Sequence, residues 1–130
     1  MNSTLTPKDV ESIQQKNAKN RYQYFLEEVL KNQQIWLLID EYGSVMLNSE
    51  DEDCVPVWPN EEFALAWATE EWSHCTASPI SLEQWHKLWT PGLEEDELLL
   101  VIFPTQHCEG LISYVYDFDA ELKKQAKIQP

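Results

Sequence analysis

"IWLLIDEYGS", Ile35 to Ser44, is an apolar run that stops at an acid pair and a glycine. A short continuous apolar run bounded by turn residues predicts a strand buried on both faces. Gly43 then supplies the turn of a hairpin into Val45–Leu47. A second run of the same kind, LLLVIF, occupies Leu98–Phe103, and LISYVY after Gly110 alternates as a half-buried strand does. CVPVW, Cys54–Trp58, is a further short strand, and Pro56, having no N–H to donate, suits an edge or a strand end.

Helical signals lie on both sides of these runs. Thr6, Pro7 and Asp9 read as an N-cap, a proline in the first turn and an acid beside it. They predict one long helix over Pro7–Lys31, with Tyr22, Phe25, Leu26 and Val29 as its docking face. Asn60 followed by Glu61 and Glu62 caps a second helix running to about Trp72. Ser81 and Gln84 form a capping box for a third through Trp89, ended by a type II turn at Thr90-Pro91-Gly92. Asp117–Lys127 reads as a terminal helix. The resulting fold class is α+β: a mostly antiparallel sheet of about five strands covered by helices. The chain is expected to be a single compact domain, with its core at about residues 21–122 and loose tails at 1–6 and 128–130.

Three of the six tryptophans fall in PVWPNEEFALAWATEEWSHC, Pro56–Cys75. On a helical wheel Trp67 and Trp72 share a wide arc with Phe63, Ala64, Leu65 and Ala68, which predicts packing rather than a ligand platform. Trp58 stands apart, beside Pro59 at a strand-to-helix junction, and is a candidate cleft residue. Glu71 joins it as the one acid on the apolar arc, where burial would raise its pKa. Asp40, directly after the buried strand, is a weaker candidate of the same kind.

Charge narrows the partners. The net charge is −14, and from Asn32 to Leu122 one basic residue, Lys87, faces nineteen acids. Nucleic acids and anionic membranes are both bound through Lys and Arg, so neither is an expected partner. The expected partner is a basic protein, met by two solvated acidic loops: Glu50, Asp51, Glu52 and Asp53, then Glu94, Glu95, Asp96 and Glu97. Cys54, Cys75 and Cys108 are odd in number and the start of the chain carries no signal-peptide pattern, so a reduced, cytoplasmic protein is expected.

Chemical signatures are scarce. His74-Cys75 and His107-Cys108 lack the C-x₂₋₄-C or H-x₃₋₅-H spacing of zinc sites, and neighbours in an extended segment point apart. No metal site is expected from them, and no Cys–His nucleophile, since adjacency supplies neither the pairing nor an oxyanion hole. The acidic run Glu50–Asp53 lacks the ligand alternation and glycine of an EF-hand, and no phosphate-binding glycine loop is present. The sequence thus points to no catalytic residue and no cofactor.

The blocks WLLIDEYG, PVWPNEEFALAW, ISLEQWHKLWTPGLEED and VIFPTQHCEG, in this order, resemble a small bacterial family, the unknown-function family 2750. The resemblance covers roughly Arg21 to Leu122. It implies a compact, single-domain cytosolic protein of bacteria and brings no activity, cofactor or catalytic residue with it. Two expectations follow from the residues. The first is a non-enzymatic protein-binding module whose acidic loops face a basic partner. The rival is a small-molecule binder or enzyme with a cleft near Trp58, Glu71 and the His–Cys segments.

Overall fold

The computed structural model describes residues 6–41, 43–49, 52–69, 72–105 and 110–128. Two helices open the fold, α1 (Pro7–Gln14) and α2 (Ala18–Asn32), where one long helix was expected. Local capping breaks them apart. Asn17 takes an extended backbone and its side chain accepts from the Asn20 N–H at 2.8 Å, starting a new helix. The buried Arg21 secures the corner by donating to the Lys16 carbonyl at 2.9 Å. Thr6, the expected N-cap of the first helix, forms a capping box with Asp9.

The apolar run becomes β1 (Gln34–Asp40), which pairs antiparallel with β2 (Gly43–Ser44) across the turn. Next come β3 (Leu47–Ser49), β4 (Glu52–Val57) and α3 (Glu61–Trp67), then β5 (Thr76–Ser81). A continuous helical segment over 82–95 follows, made of α4 (Leu82–Gln84), a π-helical turn (Trp85–Trp89) and α5 (Thr90–Glu95). The chain ends with β6 (Leu99–Ile102), β7 (Leu111–Tyr114) and α6 (Val115–Ile128).

The strands form two sheets, in the orders β2-β1-β5 and β3-β4-β6-β7, which corrects the single sheet of about five strands. The ladders are antiparallel except β4 with β6, which run parallel. Both sides of β1 are taken, by β2 and β5, so β4 meets it at only one place. There Trp36 and Trp58 exchange both backbone hydrogen bonds, at 3.0 and 2.9 Å, and this bridge joins the sheets.

Two prolines explain what the sequence reading missed. β5 (TASPIS) was not foreseen, because its serines and Pro79 do not read as a strand. Pro79 sits opposite Trp36, whose N–H and C=O both point the other way to Trp58, so the missing N–H of this edge strand removes no ladder bond. Pro56 lies in β4, which is an inner strand and not an edge. The Val57 carbonyl accepts from Phe103 on the β6 side, so Pro56 faces the other side, where β3 pairing has already ended at Cys54. Nor does Thr90-Pro91-Gly92 end its helix. The wide π turn, in which the Thr90 N–H donates to the Trp85 carbonyl, carries the helix through Pro91, which sits in the first turn of α5.

One apolar core runs through both sheets. α2 packs against β1 and α6, α3 against β1 and β5, and α5 against α6. Phe25 of α2 meets Phe118 of α6 with ring centroids 5.6 Å apart, and Phe63 meets Phe103 at 4.8 Å. All six tryptophans belong to this cluster or pack on it.

Tyr22 and Tyr24 lean on its edge, and burial is the main reason both phenols resist ionisation. Tyr22 is held up at about 12 against an ordinary 10.0, with Glu121 adding to the effect. Tyr24 is raised further, by burial and then Glu28. A raised folded-state pKa means the native protein keeps protons that the unfolded chain loses. Their contribution is therefore intact below pH 10 and declines as the pH rises towards 12. The urea midpoint is expected to be lower at a pH of about 11 than at about 9, and a double Tyr22→Phe, Tyr24→Phe variant should show a flatter decline. An identical pH slope in the variant would contradict this account.

Candidate functional site

The parallel ladder decides where the acids go. Cys54 is in register with Leu99, and both strands run the same way from that pair. The pairing begins there, so the residues just before it, Glu52 and Asp53 on one segment and Glu97 and Leu98 on the other, lead into the same end of the ladder. Two acidic stretches more than forty residues apart in the chain thus enter the sheet at one end, side by side. Glu52, Asp53 and Glu94 to Glu97 are all exposed. β7 arrives antiparallel with Tyr114 opposite Leu99, so Tyr114 and Tyr116, 67% and 59% exposed, come to the same end of the sheet.

Backbone details show that the acids of 94–97 stand where they disfavour stability. Glu94 and Glu95 close α5, where the helix dipole favours cations, and no basic residue lies in its last turn. Glu97 then adopts φ +58° in a Schellman-type cap, with the Leu98 N–H on the Leu93 carbonyl at 3.0 Å and its own N–H on Glu94 at 3.1 Å. That position is usually glycine, because a side chain there is strained.

The other sequence-derived candidates fare differently. Glu50–Asp53 is not wholly a loop, since Glu52 and Asp53 pair with Ser49 and Asn48 inside the β3–β4 ladder. Glu50, Asp51, Glu71, His107 and Cys108 lie outside the described residues. Trp58, the candidate cleft residue, is enclosed within the apolar core. It is 0% exposed, its Nε1 donates to the Pro104 carbonyl at 2.9 Å, and its ring packs on Trp67 at 5.5 Å. Asn60 occupies the N-cap position of α3, but its side chain makes no cap bond there. Instead it accepts from the Tyr24 hydroxyl and donates to Glu28, each at 3.2 Å.

Two polar groupings were not anticipated, although Asp40 and the His74-Cys75 segment of the second were each candidates. Asp119 of α6 is buried, with Thr90 donating to its Oδ1 at 3.4 Å and Lys123 reaching Oδ2 at 3.1 Å. His86, from the π turn, also bonds Oδ1 through Nδ1. This carboxylate pins the π turn to the terminal helix. Its signal was in the sequence: Asp119 falls four residues after Val115 and three before Leu122, on the apolar face of its helix.

The second cluster gathers Asp40, His74 and Cys75, whose ligand atoms all lie within 4.8 Å of one another. The expectation that neighbouring His and Cys point apart fails because Ser73 and His74 lie in a turn and Cys75 precedes, rather than lies in, the strand β5. His74 Nε2 stands 3.9 Å from Cys75 Sγ. Burial first and Asp40 second push the Cys75 thiol above its ordinary 9.0, so at neutral pH it is a protonated, poor nucleophile. Neither Cys54 nor Cys75 is in a disulfide.

Fold and site together describe an α+β protein with an acidic, tyrosine-flanked sheet end. The chain belongs to the family described as Protein of unknown function (DUF2750), which it matches over residues 22–122. No curated protein and no solved structure matches it. Among the described residues, no helix is long and apolar enough to cross a membrane.

Proposed function

We propose that this protein is a binding module for a basic protein segment, received at the sheet end that carries Glu52, Asp53 and Glu94 to Glu97. The observation behind this reading is the parallel β4–β6 register, which brings two acidic stretches together that the sequence keeps far apart. Concentrated negative charge speeds and selects encounters with a positively charged partner. The exposed Tyr114 and Tyr116 add ring faces on which an arginine or lysine can rest. The strained Glu97 and the acids at the helix C-terminus support it too, since stability alone favours other residues at these positions. The burial of Trp58 removes the main support for a small-molecule cleft beside it.

The test compares capture from host lysate by the wild-type chain and by a variant with Glu52, Asp53, Glu94, Glu95, Asp96 and Glu97 changed to their amides. A third chain carries the same number of amide changes at exposed acids elsewhere, Glu11, Glu27 and Glu83 among them. The expected result is a basic protein held by the wild type and the control, released by added salt, and lost by the sheet-end variant. Equal capture by all three overturns the proposal. Glu97→Gly separates stability from binding: it is expected to stabilise the fold by about 0.5–1 kcal/mol while weakening capture.

A further inference from the structure

We propose that Asp40, His74 and Cys75 form a zinc-type metal site, independent of the acidic sheet end. The donors are a thiolate sulfur, an imidazole nitrogen and a carboxylate oxygen. That mixture suits zinc and its neighbours among the first-row metals, and does not suit calcium or magnesium, which take oxygen ligands.

The spacing fits as well. Zinc bonds of about 2.0–2.3 Å in tetrahedral geometry set ligand atoms roughly 3.3–3.8 Å apart. His74 Nε2 and Cys75 Sγ are already 3.9 Å apart, and all three ligand atoms lie within 4.8 Å. Closing on an ion therefore needs side-chain adjustment without refolding.

The sheet builds this geometry. Ile39 pairs with Thr76 at the end of the β1–β5 ladder, and Asp40 and Cys75 are the next residues beyond that pair on the two segments. Two ligands thus flank the last pair of one ladder and the third comes from the turn just before it, which positions them more firmly than a single loop would. Burial is graded across the site: Cys75 is buried, Asp40 half-buried and His74 exposed. The metal enters from the His74 side. Three protein ligands leave a fourth position for water or another ligand, the arrangement of open rather than closed structural zinc sites.

Cobalt(II) titration of the chelator-treated full chain tests this directly. The expected result is one cobalt per chain, a near-ultraviolet thiolate-to-cobalt charge-transfer band, and the strong visible bands of a tetrahedral ion. Zinc should displace the cobalt, and magnesium or calcium should not. Cys75→Ser is expected to abolish the charge-transfer band, and Cys54→Ser to leave it unchanged. Asp40→Asn and His74→Gln should each weaken cobalt binding by more than about tenfold, the loss that removing even an outer-shell partner can produce. Circular dichroism establishes that each variant is folded, and if Cys75→Ser does not fold, the other two carry the test. No thiolate band in the wild type, a band that survives in folded Cys75→Ser, or affinity unchanged in Asp40→Asn and His74→Gln overturns the proposal.

Discussion

Trp58→Ala is expected to remove about 3–5 kcal/mol of stability, a large part of the 5–15 kcal/mol typical of a domain. The ring is fully enclosed and rests on Trp67, so its deletion opens a cavity lined by rigid neighbours. The Pro104 carbonyl, which now accepts from Nε1, is left without this donor, adding to the loss. The position also matters for architecture, because the Trp58 backbone forms the bridge to Trp36 between the two sheets. Trp58→Phe keeps a ring in the cavity and the backbone bridge while losing the indole hydrogen bond, and is expected to cost about half as much. Urea unfolding followed by circular dichroism measures both. A loss below about 1 kcal/mol for Trp58→Ala would place the ring at a yielding surface and contradict its role in the core.

Gly110→Ala is expected to be the most damaging single-methyl change, at about 2–4 kcal/mol. Two costs act together. The residue has φ +89°, which a side chain rarely adopts. An added Cβ would also meet the Ile102 carbonyl oxygen at 2.9 Å, Val101 Cγ1 at 3.0 Å and the Pro104 nitrogen at 3.1 Å. Two of these are backbone atoms at the end of β6, and moving them disturbs the strand itself and the Pro104 carbonyl that holds Trp58. Gly92→Ala provides the contrast. Its Cβ would meet nothing within 4 Å and its backbone is helical, so the change is expected to be neutral or stabilising by up to about 1 kcal/mol. Comparable losses for the two variants in urea unfolding would refute the steric account.

What could be read from the chain follows from the range of each signal. β1 and β6 were legible because burial on both faces writes itself as an unbroken apolar run. Helix starts were legible at Thr6 and Ser81, where the capping side chain and its target lie three residues apart. Asn60 misled for the same reason: as a helix start it was read correctly, but its side chain was claimed by Tyr24 and Glu28 from α2. β5 was invisible, since an edge strand tolerates the serines and proline that a central strand excludes.

By itself, the sequence determined the α+β class, the packing of Trp67 and Trp72 on the core, and the excess of acid in the middle of the chain. These properties depend on residue type and local period, which are present in any short window. The tertiary structure alone decided that β4 and β6 run parallel, so that Glu52 and Asp53 and the segment Glu94 to Glu97 precede the same end of that ladder. It likewise decided that Asp40 faces His74 and Cys75. Both groupings lie at the ends of strand pairings between distant segments. Register is fixed by how the apolar faces fill one core, which no stretch of the chain specifies alone.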